Sequence, residues 1–171
     1  MLQYDLAQKR GHSNAIAWCR RLPELPLAGF GFLLHFVWEM LQIPWYEGMP
    51  ETSHGAGVWI CTRATGGDVV ILLTGFWMAS LLAGGRDWFL YARRLPAVVM
   101  VTAGVLITIV LERLATGALE RWTYADAMPV VPVAGIGLAP LLQWLLLPPL
   151  ILWLARRHVL GNETLQDDRQ E

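Results

Sequence analysis

Hydrophobic positions along the chain gather into four long runs, separated by shorter and more polar stretches. The first, roughly Leu27 to Trp45, reads LAGFGFLLHFVWEMLQIPW, and the second, roughly Asp68 to Ala83, reads DVVILLTGFWMASLLA. The third, roughly Pro96 to Ala115, reads PAVVMVTAGVLITIVLERLA, and the fourth, roughly Leu138 to Ala155, reads LAPLLQWLLLPPLILWLA. Each approaches the ~20 apolar residues that carry a helix across a hydrocarbon core. Backbone polar groups in lipid must be satisfied within their own segment, so helices are expected. The predicted fold class is therefore all-α, a polytopic integral membrane protein of four transmembrane helices. Residues 1–24 read as a tail, 25–157 as the four-helix domain and 158–171 as a second tail.

Two irregularities qualify this pattern. Pro148 and Pro149 fall inside the fourth run, remove two backbone donors and predict a kink. The stretch MPVVPVAGIGLAP, residues 128 to 140, is apolar but rich in proline and glycine. It predicts a loop packed on or dipping into the outer membrane face.

Charge sets the orientation. Ten Lys and Arg fall in the N-terminal tail, the second connection and the C-terminal tail. Three, Arg63, Arg113 and Arg121, fall on the other side. The positive-inside rule then predicts a multi-pass protein with both termini in the cytoplasm. Residues 1 to 24 lack a compact apolar stretch ending in small residues. They read as a cytoplasmic tail, with a short interfacial helix around Asn14 to Arg21, and not as a cleaved signal peptide. Trp45, Trp59, Trp122 and Trp144 are expected near outer-side boundaries, where indoles anchor helices.

Composition agrees and narrows the classes. Of 171 residues, 55% are hydrophobic and only 16% charged, against about 25% in soluble domains. A net charge of −1 and the lack of a basic cluster with interleaved aromatics argue against a nucleic-acid partner. No glycine loop suited to phosphate is present, and no nucleotide motif. Cys19 and Cys61 stand alone without a CxxC pair, which argues against a structural disulfide or a four-cysteine zinc site.

The candidate chemistry lies in the polar residues inside the runs. His35, Glu39, Gln42 and Tyr46 share one face of a helix. Asp68 is expected at the outer end of the second span, where Gly66-Gly67 before it also suits a helix N-cap. Glu112 falls in the outer third of the third span, with Thr108 and Thr116 on its face, and Gln143 in the outer half of the fourth. Four spans thus bring polar groups to a similar depth. A carboxylate facing acyl chains costs about 2.5–3.5 kcal/mol, so these groups are expected to face one another. An acid beside a base then suits proton transfer. His35, Glu39, Glu112 and Asp68 are the catalytic candidates. Gln42, Tyr46, Trp38, Trp122, Tyr124 and Gln143 are the candidates for lining a substrate pocket. Against this stands a purely structural reading, in which interhelical polar contacts hold the bundle together.

His35 and Glu39, at i and i+4, also have the spacing of two ligands to one metal ion, which His54, Asp68 or Glu112 would complete. That spacing is common, and metal occupancy stays open. Haem needs axial ligands at depth, and only His35 lies within a run. Cys61 reads as packing or as a lone nucleophile or ligand. An internal echo also runs through the chain: Glu39, Trp45, Tyr46 and Met49-Pro50 are matched by Glu112, Trp122, Tyr124 and Met128-Pro129.

The elements HFVWEMLQIPWY (35 to 46), HGAGVWICTRATGGDVVI (54 to 71), ERLATGALERWTYADAMPVVP (112 to 132) and GLAPLLQW (137 to 144) together resemble an uncharacterised family of small four-span bacterial inner-membrane proteins. The resemblance implies fold and topology, and no activity. A looser likeness, carried by His35, Glu39 and Glu112 alone, is to small polytopic sterol and carotenoid isomerases and cyclases. It is an analogy of chemistry.

The favoured expectation is a polar pocket in the extracytoplasmic half of the bundle, performing acid/base chemistry of the isomerase, cyclase or hydratase type on a lipophilic small molecule. The alternatives are an accessory subunit of a larger membrane complex and a small transporter or proton/ion conduit. Partners are then the bilayer, a lipophilic ligand, and another membrane protein or a second copy. Gly29, Gly31, Gly75, Ala79 and Gly104 would permit close helix approach.

Overall fold

The computed structural model describes residues 22–167, and for 162–167 the helical backbone only. The expected helix at Asn14 to Arg21, Cys19 and the tail cations up to Arg21 lie outside the described residues, as does Arg169. Four helices form the body: α1 Glu24–Gln42, α2 His54–Ala83, α3 Arg94–Arg113 and α4 Leu138–Asp167. All four are long and apolar enough to cross a membrane. α1 packs on α2, α2 on α3, α3 on α4, and α4 returns to α1, closing an up-and-down bundle.

Local chemistry accounts for the ends. Glu24 in the first turn of α1 complements the helix dipole. Pro44 has no N–H to continue α1, and the chain tightens into one 3-10 turn, Ile43–Trp45. α2 stops at Gly84, whose φ of 75° is left-handed. The Gly85 N–H then reaches Ser80 O and the Gly84 N–H reaches Leu81 O, the paired closure that glycine permits. Past Arg113, α3 widens into a π turn, Leu114–Ala118. α4 remains helical through Pro148 and Pro149, so the proline pair does not break it.

The proline- and glycine-rich stretch before α4 is a small hairpin. Strand β1, Val130–Val131, pairs antiparallel with β2, Ile136–Gly137, in the register Val130↔Gly137 and Val131↔Ile136. Arg113 clamps it from the end of α3, its Nε donating to Ala134 O at 2.6 Å and its Nη2 to Val133 O at 3.3 Å.

Side chains divide by surroundings. Leu27, Leu72, Phe76, Met100, Trp144 and Ile151 are buried in one core. Leu33, Val37, Leu41, Val70, Leu81, Leu106, Val110 and Leu146 are exposed on the outside of the bundle. An apolar belt around a polar-centred bundle inverts the arrangement of a water-soluble one.

Three glycines set the helix register. A Cβ on Gly31 would lie 2.7 Å from Leu72, one on Gly75 would lie 3.0 Å from Met100 O, and one on Gly104 would lie 2.2 Å from the Trp144 ring. Such close approach drives association where lipid removes the hydrophobic advantage of helix pairing. Gly29 meets nothing within 4 Å and takes no part.

The second span is longer than the hydropathy predicts. α2 begins at His54 with Ser53 as its cap, so Asp68 lies near the middle of a 30-residue helix. Asp68 is neither an N-cap nor at the end of a span. The glycines, threonines and Arg63 of residues 54–67 lower the local apolar signal, yet Gly57, Cys61, Thr65, Leu72, Phe76 and Ala79 form one buried face at helical spacing. Arg63, expected in a connection, is an exposed residue of α2. The 158–171 tail is likewise helical as far as Asp167.

Candidate functional site

The glycine-set register levels the polar residues. One turn beyond the Gly31–Leu72 and Gly104–Trp144 contacts, toward the hairpin end, stand His35, Asp68 and Thr108, with Gln143 next to Trp144. A turn further stand Glu39, Thr65 and Glu112. The polar groups of four helices therefore share two adjacent layers.

Gln143 is the hub of the deeper layer. Its Nε2 lies 2.7 Å from His35 Nδ1, 2.9 Å from Asp68 Oδ2 and 3.4 Å from Glu39 Oε1. His35 Nδ1 also lies 3.5 Å from Asp68 Oδ2. With Gln143 donating, Nδ1 is the acceptor and the ring proton belongs on Nε2. That Nε2 is buried without a partner. Trp144 braces the imidazole, the two ring centres 5.3 Å apart. Gln42 donates to Glu39 Oε1 at 2.7 Å. The amide nitrogens of Gln42 and Gln143 thus hold Glu39 from both sides.

The second layer is built on Glu112. Its Oε2 accepts from the Tyr124 hydroxyl and from Trp122 Nε1 at 3.4 Å. Tyr124 arrives because residues 122–125 run back beside the end of α1. Tyr46 and Tyr124 form an isolated antiparallel bridge, the Glu47 N–H reaching Thr123 O and the Ala125 N–H reaching Trp45 O. The rings of Tyr46 and Tyr124 stand 5.6 Å apart. The two halves of the sequence echo therefore meet face to face. Burial, then the Glu112 carboxylate, push the Tyr46 phenol upward from its ordinary value. Burial and the hydrogen bond to Glu112 do the same for Tyr124. Both phenols stay protonated, and the Tyr124 hydroxyl stays a donor.

The two adjacent layers are together called the chamber. Glu39 and Asp68 share the Gln143 amide, and Glu112 stands one helical turn from Thr108 on α3. Among the described residues Arg86–Glu24, at the far end, is an ion pair, whereas His35, neutral in this tautomer, only approaches Asp68. Arg113, next to Glu112, turns outward to the hairpin carbonyls. No guanidinium or ammonium among the described residues pairs with the three carboxylates.

The far half of the bundle is closed. Phe76 packs on Trp88 and Phe89, ring centres 5.5 and 6.1 Å apart. Trp88 Nε1 donates to Ser80 Oγ at 3.0 Å, and Arg156 Nε to Leu90 O at 2.7 Å. With Leu27, Ile151 and Ala155 fully buried there, the polar path ends at the His35 layer.

Several expectations change. His54 is the first residue of α2, 14 residues from Asp68, and does not join the chamber. No group of three or more His, Cys, Asp or Glu among the described residues is arranged to hold a metal ion. Trp144, expected at a boundary, is 2% exposed and packs on Gly104 and His35. Trp59 is exposed, as are Trp45 and Trp122 more marginally. Trp38 packs against the core with its indole N–H buried and unpartnered. Cys61 takes a buried place on the packed face of α2. The hydropathy pattern passed over Thr65, fully buried with an unpartnered hydroxyl. Its spacing from Cys61 and Asp68 would have flagged it once the helix was started at His54. Thr108 Oγ1 is likewise buried and unpartnered, whereas the Thr116 hydroxyl is spent on Glu112 O. Comparison with protein-family models, curated proteins and solved structures finds no match.

Proposed function

We propose that the protein is a multi-pass protein of the bacterial inner membrane, with both termini cytoplasmic, whose chamber performs acid/base chemistry on a lipophilic substrate. The chamber then opens toward the extracytoplasmic leaflet. The observation that carries this reading is the convergence of His35, Glu39, Asp68, Glu112 and Gln143 from four helices at one end, above an apolar plug. A merely structural role needs one satisfied polar contact per helix pair. Three neighbouring carboxylates without a basic partner exceed that need.

In this reading Glu112 or Glu39 donates a proton to one carbon of the substrate. His35, once Gln143 releases its Nδ1, removes one from another carbon, or tunes Glu39 through Gln143. Proton gain and loss balance, as an isomerisation or cyclisation requires. Tyr46, Trp122 and Tyr124 at the rim position the molecule, and Tyr124 and Trp122 hold the Glu112 carboxylate. The closed far half argues against a conduit, which needs polar groups through both halves. An accessory role in a larger complex would leave the chamber without chemistry.

The test is genetic and chemical together. His35→Ala, Glu39→Gln, Asp68→Asn and Glu112→Gln should each abolish the phenotype that separates wild-type from deletion cells, and alter the cellular lipid or isoprenoid profile. Unchanged phenotype and profile in all four variants, at normal protein levels, would remove the proposal.

A further inference from the structure

Four donors of the chamber are already committed. Gln143 Nε2, Gln42 Nε2, the Tyr124 hydroxyl and Trp122 Nε1 all point at carboxylate oxygens or at His35. The bonds to Glu39, Asp68 and Glu112 all fall on one oxygen of each carboxylate: Oε1, Oδ2 and Oε2. The second oxygens, Glu39 Oε2, Asp68 Oδ1 and Glu112 Oε1, have no partner among the described residues. None of the three is among the fully buried unpartnered atoms.

A second and independent feature points the same way. Gln42 is 4% exposed, and its amide nitrogen is fixed on Glu39, yet its Oε1 is buried without any donor. Thr65, level with Glu39 and 0% exposed, holds another unpartnered oxygen. An unmet acceptor in such surroundings is costly, and three carboxylates cost more when no cation balances them. Four buried donors are left over, His35 Nε2, Trp38 Nε1 and the hydroxyls of Thr65 and Thr108, and none of them carries the positive charge that the carboxylates lack. Aromatic faces at the rim, Tyr46, Tyr124 and Trp122, add a further preference for a cation.

We infer that the chamber binds the protonated amine head of a lipophilic molecule, with its apolar tail lying along the bundle exterior. This inference rests on the proposed function and assigns its substrate class. An ammonium head carries the positive charge the site lacks, and its N–H groups donate to Gln42 Oε1 and to the free carboxylate oxygens. A metal ion fits less well, since the described residues form no ligand group for one.

The test uses the full chain in zwitterionic lipid nanodiscs, with equilibrium binding corrected against empty discs. The probes are dodecylammonium and its neutral counterpart dodecanol. Saturable binding of dodecylammonium, at least ten-fold tighter than dodecanol, is expected. Asp68→Asn and Glu112→Gln should each weaken the ammonium about ten-fold while sparing dodecanol. Glu24→Gln, at the opposite end, should change neither. Equal affinity of the two probes for wild-type protein would overturn the inference, and it needs no variant to fold. If dodecanol binds as tightly and both probes are lost in the variants, the chamber takes lipophiles without selecting charge, and the proposed function survives. If neither probe saturates, the inference fails, and the cellular phenotype decides the function separately.

Discussion

Replacing Gln143 with alanine tests the geometry most directly. Gln143 Nε2 has two hydrogens and faces three acceptors, so the contacts at 2.7 Å to His35 and 2.9 Å to Asp68 use them, and Glu39 at 3.4 Å takes the remainder. Interhelical hydrogen bonds in membranes average about 0.6 kcal/mol and reach about 1.7. Two such bonds place the expected loss for Gln143→Ala at about 1–3 kcal/mol. The substitution also strips the amide from two carboxylates, which pushes the cost toward the upper end. The assay is reversible unfolding in mixed micelles of rising SDS fraction, followed by far-UV circular dichroism. A double-mutant cycle with Asp68→Ala should show a coupling of at least about 0.5 kcal/mol, since each partner's loss already removes the shared bond. A cost for Gln143→Ala below about 0.5 kcal/mol, together with additive behaviour in the cycle, would refute the hub.

Other expectations follow from the same contacts. Gly104→Ala places a methyl 2.2 Å from the buried Trp144 ring, so it should destabilise the bundle by about 1–3 kcal/mol, and Trp144→Leu in the same chain should recover part of the loss in the same unfolding assay. Arg113→Ala removes both ties to the hairpin; hydrogen exchange at the amides of Gly135 and Leu138 should rise about ten-fold, with the midpoint of helix unfolding unchanged. Tyr124→Phe deletes the hydroxyl that holds Glu112 and should cost about 1–2 kcal/mol, with fold and expression level kept. For orientation, in a background without Cys19 and Cys61, Thr123→Cys should react with a membrane-impermeant maleimide in intact cells and Arg93→Cys only after the cells are opened; labelling of both in intact cells would refute the four-crossing topology.

Much of this protein is legible along the chain, for a physical reason. Helices in lipid satisfy their own backbone, so span number and helix type follow from runs such as LAGFGFLLHFVWEMLQIPW and PAVVMVTAGVLITIVLERLA without any long-range contact. His35, Glu39, Asp68, Glu112 and Gln143 stood out for the same reason, since apolar surroundings make ionisable groups conspicuous. The start of α2 did not, because Gly66, Gly67 and Arg63 mask a buried face that only packing reveals.

What tertiary structure alone decided is who meets whom. The register follows from Leu72 packing on Gly31, the Met100 backbone on Gly75 and Trp144 on Gly104, and hydropathy carries no record of which group fills each gap. That register moved Trp144 from a boundary into the core and made Gln143 the hub of the polar layer. It also levelled Asp68 with His35, and left His54 outside. Periodicity along a helix reports which residues face inward. Only the close approach of neighbouring helices sets their height against one another, and the chamber exists because those heights coincide.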